Sequence, residues 1–116
     1  MEAAREDDPE RIEHREVVGL LAEAAGTGKH CALSIRQIED LSLQMETDGN
    51  GYGTKLRFPG LRDALVRVAG NSSGKINPRS LGRWFMGRKG RMVDGMKIID
   101  CGLDRNKVKR WCVERL

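Results

Sequence analysis

Arg79 and Arg83 stand four residues apart in a segment that also holds Lys75, Ser80, Arg88, Lys89 and Arg91. On a helix that spacing puts both guanidiniums on one face, a turn apart. Each can fork to the acceptor edge of a guanine or clasp two phosphate oxygens. Arg105, Lys107 and Lys109 supply a second basic stretch further on. The chemistry on offer is recognition of a polyanion rather than the making or breaking of bonds.

The charge balance points the same way. Residues 75–116 hold 12 Lys/Arg and 4 Asp/Glu, a balance of +8, while residues 1–74 hold 9 and 13, a balance of −4. The formal net charge of +4 therefore hides a strongly polarised chain. Positive potential gathered in one region suits phosphate binding. A solvated surface that aids solubility is the plainer alternative, and lysines at a hairpin edge also guard against strand-to-strand aggregation.

Other chemistries lack their residues. Gly26-Thr27-Gly28-Lys29-His30 is like a phosphate loop, but Glu23 stands where its first glycine belongs and His30 replaces the Ser/Thr. Asp48-Gly49-Asn50-Gly51-Tyr52-Gly53 begins like a calcium loop, yet Pro59 occupies the position of the bidentate glutamate. His14, His30, Cys31, Cys101 and Cys112 have neither catalytic nor zinc spacing. The expectation is a non-enzymatic protein with no catalytic, cofactor-binding or metal site. Three cysteines, an odd number, suit reduced thiols in the cytoplasm. No apolar run approaches the roughly 20 residues that cross a bilayer. With aromatics at 4%, Trp84 and Trp111 are read as core rather than as stacking platforms for single-stranded nucleic acid.

The elements that must position the basic residues can be read in turn. A chain of 116 residues fits one domain. Residues 1–9 read as a frayed leader and 10–116 as that domain. Val17, Leu20, Leu21 and Ala24 are spaced as on a helix that Gly26 stops. Ser34 and Gln37 make a capping box, and Ile35, Ile38, Leu41 and Met45 extend the helix over about 34–46. Thr54 to Phe58 alternates like a short strand. Pro59 opens a third helix with Leu61, Ala64, Leu65 and Val68 as its buried face, Asp63 and Arg67 pairing across one turn, and Gly70 as its end. Asn77-Pro78 caps a fourth over about 78–89, with Leu81, Trp84 and Phe85 inward and Arg79, Arg83 and Met86 outward. Residues 93–100 and 107–115 then read as a hairpin with a basic tip at 101–107. The fold class expected is mostly α with a C-terminal β-hairpin: a winged helix with an extra N-terminal helix. Its recognition helix spans about 78–89 and its wing about 93–115.

A family resemblance rests on the second half of the chain. Phe58-Pro59-Gly60-Leu61-Arg62-Asp63-Ala64-Leu65, Ile76-Asn77-Pro78-Arg79-Ser80-Leu81-Gly82-Arg83-Trp84, Val93-Asp94-Gly95-Met96 and Trp111 resemble the C-terminal domain of primase-helicase replication proteins of phages and mobile elements. That resemblance implies a winged helix that engages duplex or forked DNA for a replication enzyme. It carries no catalytic residue to this chain. The nucleic-acid-binding residues expected are Lys75, Arg79, Ser80, Arg83, Arg88, Lys89, Arg91, Arg105, Lys107 and Lys109. DNA is the expected partner, together with a helicase or primase core or another replication protein, and no membrane. The alternative is a protein-interaction winged helix that docks a replication partner or mediates oligomerisation.

Overall fold

In the computed structural model, the residues described are 9–47, 49, 51 and 53–116. The leader expected over residues 1–9 lies outside them, apart from Pro9. The tip of the glycine-rich turn at Asp48–Gly53 is likewise described only at Gly49, Gly51 and Gly53.

The described residues form four helices, α1 (Pro9–Ala25), α2 (Ile35–Ser42), α3 (Pro59–Ala69) and α4 (Pro78–Arg88). A single 3-10 turn, Lys29–Cys31, and the two-residue strand β1 (Leu33–Ser34) connect α1 to α2. Strands β2 (Met45–Thr47) and β3 (Thr54–Leu56) pair as a small antiparallel hairpin between α2 and α3. The C-terminal hairpin is β4 (Met96–Leu103) with β5 (Lys109–Arg115). β1 pairs antiparallel with the other edge of β5, giving the order β1-β5-β4. The first half of the chain thus contributes a strand to the C-terminal sheet.

The local start signals act as the sequence implies. Gln37 N–H donates to Ser34 Oγ at 3.2 Å and Ser34 N–H to Gln37 Oε1 at 2.9 Å. Asn77 Oδ1 accepts the N–H groups of Arg79 and Ser80 at 3.0 and 3.2 Å. Helix α2 ends earlier than its apolar spacing suggests. Ser42 Oγ donates back to the Glu39 carbonyl at 2.6 Å, and Leu43 leaves helical geometry. Met45 then enters β2 and is 51% exposed, because pairing with Leu56 takes it off the helical stripe.

The C-terminal hairpin is shifted by about three residues from its expected start. Asp94 and Gly95 both have positive φ, 52° and 76°, and Val93 and Met96 exchange backbone hydrogen bonds of 2.8 and 2.9 Å across them. That is the two-residue turn that Asp-Gly favours, so residues 93–95 reverse the chain before β4 begins. Gly102 absorbs an irregularity in β4 with φ of 83°, its N–H held by Asp100 Oδ1 at 2.8 Å.

One core joins the layers. Val17, Val18 and Leu21 of α1, Ile38 of α2, Leu61 and Leu65 of α3, Leu81 and Phe85 of α4, and Ile98, Trp111 and Val113 of the sheet are buried together. Leu41 is only half-buried against this cluster. Phe85 lies at its centre, with ring centroids 5.7 Å from Trp84 and 5.5 Å from Trp111. Arg67 turns to Glu16 of α1, at 3.0 Å, instead of pairing with Asp63 along its own helix. That bridge fixes α1 beside α3, whereas a pair on one helix would tie nothing together.

Cys112 is 3% exposed, and its Sγ lies 3.1 Å from that of Cys101. Burial, then the neighbouring thiol, pushes its pKa up to about 12. Since the thiolate is the reactive form, a thiol reagent at about pH 8 should spare Cys112. Two thiols per native chain, Cys31 and Cys101, are expected to react, and three once the chain is unfolded. Rapid labelling of Cys112 in the native protein would contradict the packing of β4 on β5.

Candidate nucleic-acid interface

Helix α4 is set by its cap at one end and by Leu81, Trp84 and Phe85 on its inner face. At 100° per residue, Arg79, Arg83 and Met86 fall within about a quarter turn of one another on the outer face. All three are exposed, Met86 by 45%. The loop end of the C-terminal hairpin lies against this stripe, with Lys109 Nζ 3.6 Å from Met86 Sδ. Lys109 also pairs with Asp100 Oδ2 at 3.3 Å and sits 5.6 Å from the Trp111 ring centroid. The Asp100 carboxyl is held below its usual range, first by the Gly102 N–H and then by the Lys109 ammonium, with Lys89 adding to the effect. Lys89 therefore belongs to the same neighbourhood.

Arg105 and Lys107 are exposed at the tip of the hairpin. Asp104 organises this tip. Its carbonyl accepts Lys107 N–H at 3.0 Å, and its carboxylate accepts Asn106 and Val108 N–H at 2.8 and 3.0 Å. Lys107 itself has φ of 62°, a left-handed conformation that glycine adopts freely and lysine at a cost of roughly 1–2 kcal/mol.

Lys75 sits exposed on the α3–α4 connection. That connection is closed by a Gly70–Ile76 bridge and by Asn77 N–H bonding to the Ala69 carbonyl at 2.8 Å. Ser80 is half-buried, and its N–H is engaged by the Asn77 cap.

Arg88 and Arg91 stand apart from this group. Arg88 is half a turn around α4 from Arg79, on the side of Leu81 and Trp84. Its side chain is only 16% exposed, donates to Glu10 at 2.9 Å and lies 4.6 Å over the Trp84 ring. The repeat Leu81, Trp84, Arg88 already carries that signal, since residues three and seven apart share a helix face. Arg91 is exposed beside Arg88, toward α1. Reading basic residues as one set places these two with Arg79 and Arg83, and the turn of the helix separates them.

Arg36 is a basic residue the sequence reading left out. It is exposed on the first turn of α2, next to Ile35, which packs toward Gly82 of α4. Helical geometry alone gives no hint of this, because the proximity of α2 to α4 is a tertiary contact.

His14 is a second residue whose role only packing reveals. It is 6% exposed on α1 and meets Trp84 edge to face, with centroids 6.0 Å apart. Burial, then the Arg88 and Arg91 charges, holds its pKa below the ordinary value, with Glu10 opposing. The unfolded chain therefore binds this proton more readily than the folded one. The His14 contribution to stability is complete above the unfolded pKa and is lost as pH falls from there through the lower folded value. Thermal unfolding should move to lower temperature between about pH 7 and about pH 5, and His14→Gln should flatten that part of the curve. An unchanged slope in the variant would remove His14 as its source.

Among the described residues no group of three or more His, Cys, Asp or Glu could hold a metal ion, and no helix is long and apolar enough to cross a membrane. No protein-family model, curated protein or solved structure matches the chain.

Proposed function

We propose that this chain is a DNA-binding module of winged-helix type, with α4 in the major groove and the β4–β5 tip as its wing. The observation that carries this reading is the continuity of α4 with the hairpin. The Arg79/Arg83 stripe leads through Met86 to Lys109, and the hairpin ends in exposed Arg105 and Lys107. Helix-borne arginines suit base edges and phosphates, and a flanking basic loop suits the adjacent backbone. The sheet order β1-β5-β4 supports the same architecture. The β2–β3 hairpin and the long, bridged α3–α4 connection are elaborations on it.

Lys107 adds support from strain. Lysine is held here at a positive φ that glycine would adopt at no cost, and a role for its side chain would account for that strain. Position and charge together suit a phosphate contact. The resemblance of residues 58–116 to primase-helicase C-terminal domains favours a replication enzyme as the setting, with duplex or forked DNA as ligand.

Titration against duplex, forked and single-stranded DNA at several salt concentrations tests the reading. With roughly 4–6 phosphate contacts, log K should fall against log salt with a slope of about −4 to −5 on duplex. Lys107→Gly should relieve backbone strain, leaving stability equal or higher, yet flatten the slope by about one unit. Absence of duplex binding at low salt would sink the proposal, and a protein partner lost on charge reversal at Glu13, Glu16 or Glu23 would favour the docking alternative.

A further inference from the structure

We infer that the cleft between the start of α1 and the end of α4 binds a phosphate monoester dianion, at a site separate from the outer face of α4. Glu10, Arg11 and His14 line it from α1, Arg88 from α4, and Arg91 and Met92 from the segment that follows. Its volume is about 370 Å³. That lies within the range of roughly 300–1,000 Å³ found for small-ligand sites, so it holds more than a bare ion.

The charges favour an anion. Three guanidiniums face a single carboxylate, an excess of two positive charges that a dianion matches. Guanidinium forks fit phosphate oxygens in pairs, which a compact ammonium does not. Glu10 occupies Arg88 Nη2 at 2.9 Å, so a ligand entering the cleft meets chiefly Arg11, Arg91 and the His14 side. The Arg88 guanidinium is fixed there by Glu10 and by the Trp84 ring beneath it.

An independent observation is the state of the buried nitrogens. Four buried side-chain N or O atoms lack a hydrogen-bond partner among the described residues; His14 Nε2 and Arg88 Nε belong to residues that line the cleft, and Trp84 Nε1 to the ring that packs against both. A buried polar group without a partner carries the full penalty of its desolvation, so three together call for a reason. An anion in the cleft compensates by attraction to Arg88 and by favouring the protonated form of His14. The groups that face His14 are Arg88 of α4, Arg91 after it, Glu10 and Arg11 of α1, and the Trp84 ring; of these Arg88, Arg91 and Glu10 bear on its proton beside burial. The exposed thioether of Met92 offers an apolar wall for the organic remainder of the ligand.

Two sources supply this chemistry, a free phosphate compound and the 5′-phosphate at a DNA strand end. Imidazole NMR resolves them, because His30 is exposed and serves as an internal control for His14. Inorganic phosphate, added at constant ionic strength, is expected to move the His14 resonance saturably and raise its pKa while His30 stays still. Arg91→Gln, at an exposed position, should weaken phosphate about tenfold, as expected for one charge-assisted contact, and Lys29→Gln should leave it unchanged. A 5′-phosphorylated trinucleotide that binds tighter than inorganic phosphate assigns the site to strand ends, and equal affinity assigns it to the free anion. Binding of the 5′-hydroxyl trinucleotide as tightly as the phosphorylated one would overturn the inference. So would a His14 resonance that ignores phosphate, or an Arg91→Gln variant that binds it normally. Duplex affinity does not enter any of these outcomes.

Discussion

Trp84→Ala should lower the unfolding free energy by about 3–5 kcal/mol, the range for removing a buried indole. Trp84 is 8% exposed and touches His14, Phe85 and Arg88. Its loss opens a cavity between α1 and α4 and strips the guanidinium of Arg88 of the ring beneath it. A domain of this size has only about 5–15 kcal/mol to lose, so the melting temperature should drop by roughly 15–30 °C. Arg83→Ala, on the exposed face of the same helix, should leave it within a few degrees. Equal losses at both positions, measured by thermal or urea unfolding, would mean that the facing of α4 has been misread.

The second large effect concerns affinity. Arg79→Glu combined with Arg83→Glu removes two cations from the centre of the proposed interface and replaces them with repulsive charge. Charge-assisted contacts contribute about 1.5–3 kcal/mol each, so duplex affinity should fall by at least about a hundredfold at moderate salt. The salt slope should lose about two units, one for each phosphate no longer neutralised. Thermal stability should hold, because both side chains are in solvent. Duplex binding that survives this double reversal would move the DNA contact off α4 altogether.

Arg88 illustrates why basic residues cannot be treated as one surface. Its charge alone groups it with Arg79 and Arg83, and the 3.6-residue period assigns it to the other side of the helix. Substituting Arg83 and substituting Arg88 are therefore different experiments. The first tests a ligand contact, while the second breaks the Glu10 bridge and uncovers Trp84.

Features under short-range control are legible in the residues alone. Ser34 with Gln37 and Asn77 with Pro78 place helix starts, because a side-chain acceptor within three residues satisfies the first free N–H groups. Leu61, Leu65, Leu81, Trp84 and Phe85 were legible as core, because the helical period repeats apolar positions on one face. The Asp94-Gly95 turn is equally local, its φ values being those an Asp-Gly pair invites. Long-range packing sets the rest. Leu33–Ser34 and Met45–Thr47 are too short to show any period, and they become strands only because Trp111 and Leu56 lie across from them. Glu10 and Arg88 are 78 residues apart, as are Ala32 and Arg110, whose guanidinium bonds to the Ala32 carbonyl. Nothing in the intervening chain specifies either pair. Each exists because burying a common apolar core brings α1 against α4 and β1 against β5, and polar groups trapped beside that core must find partners there.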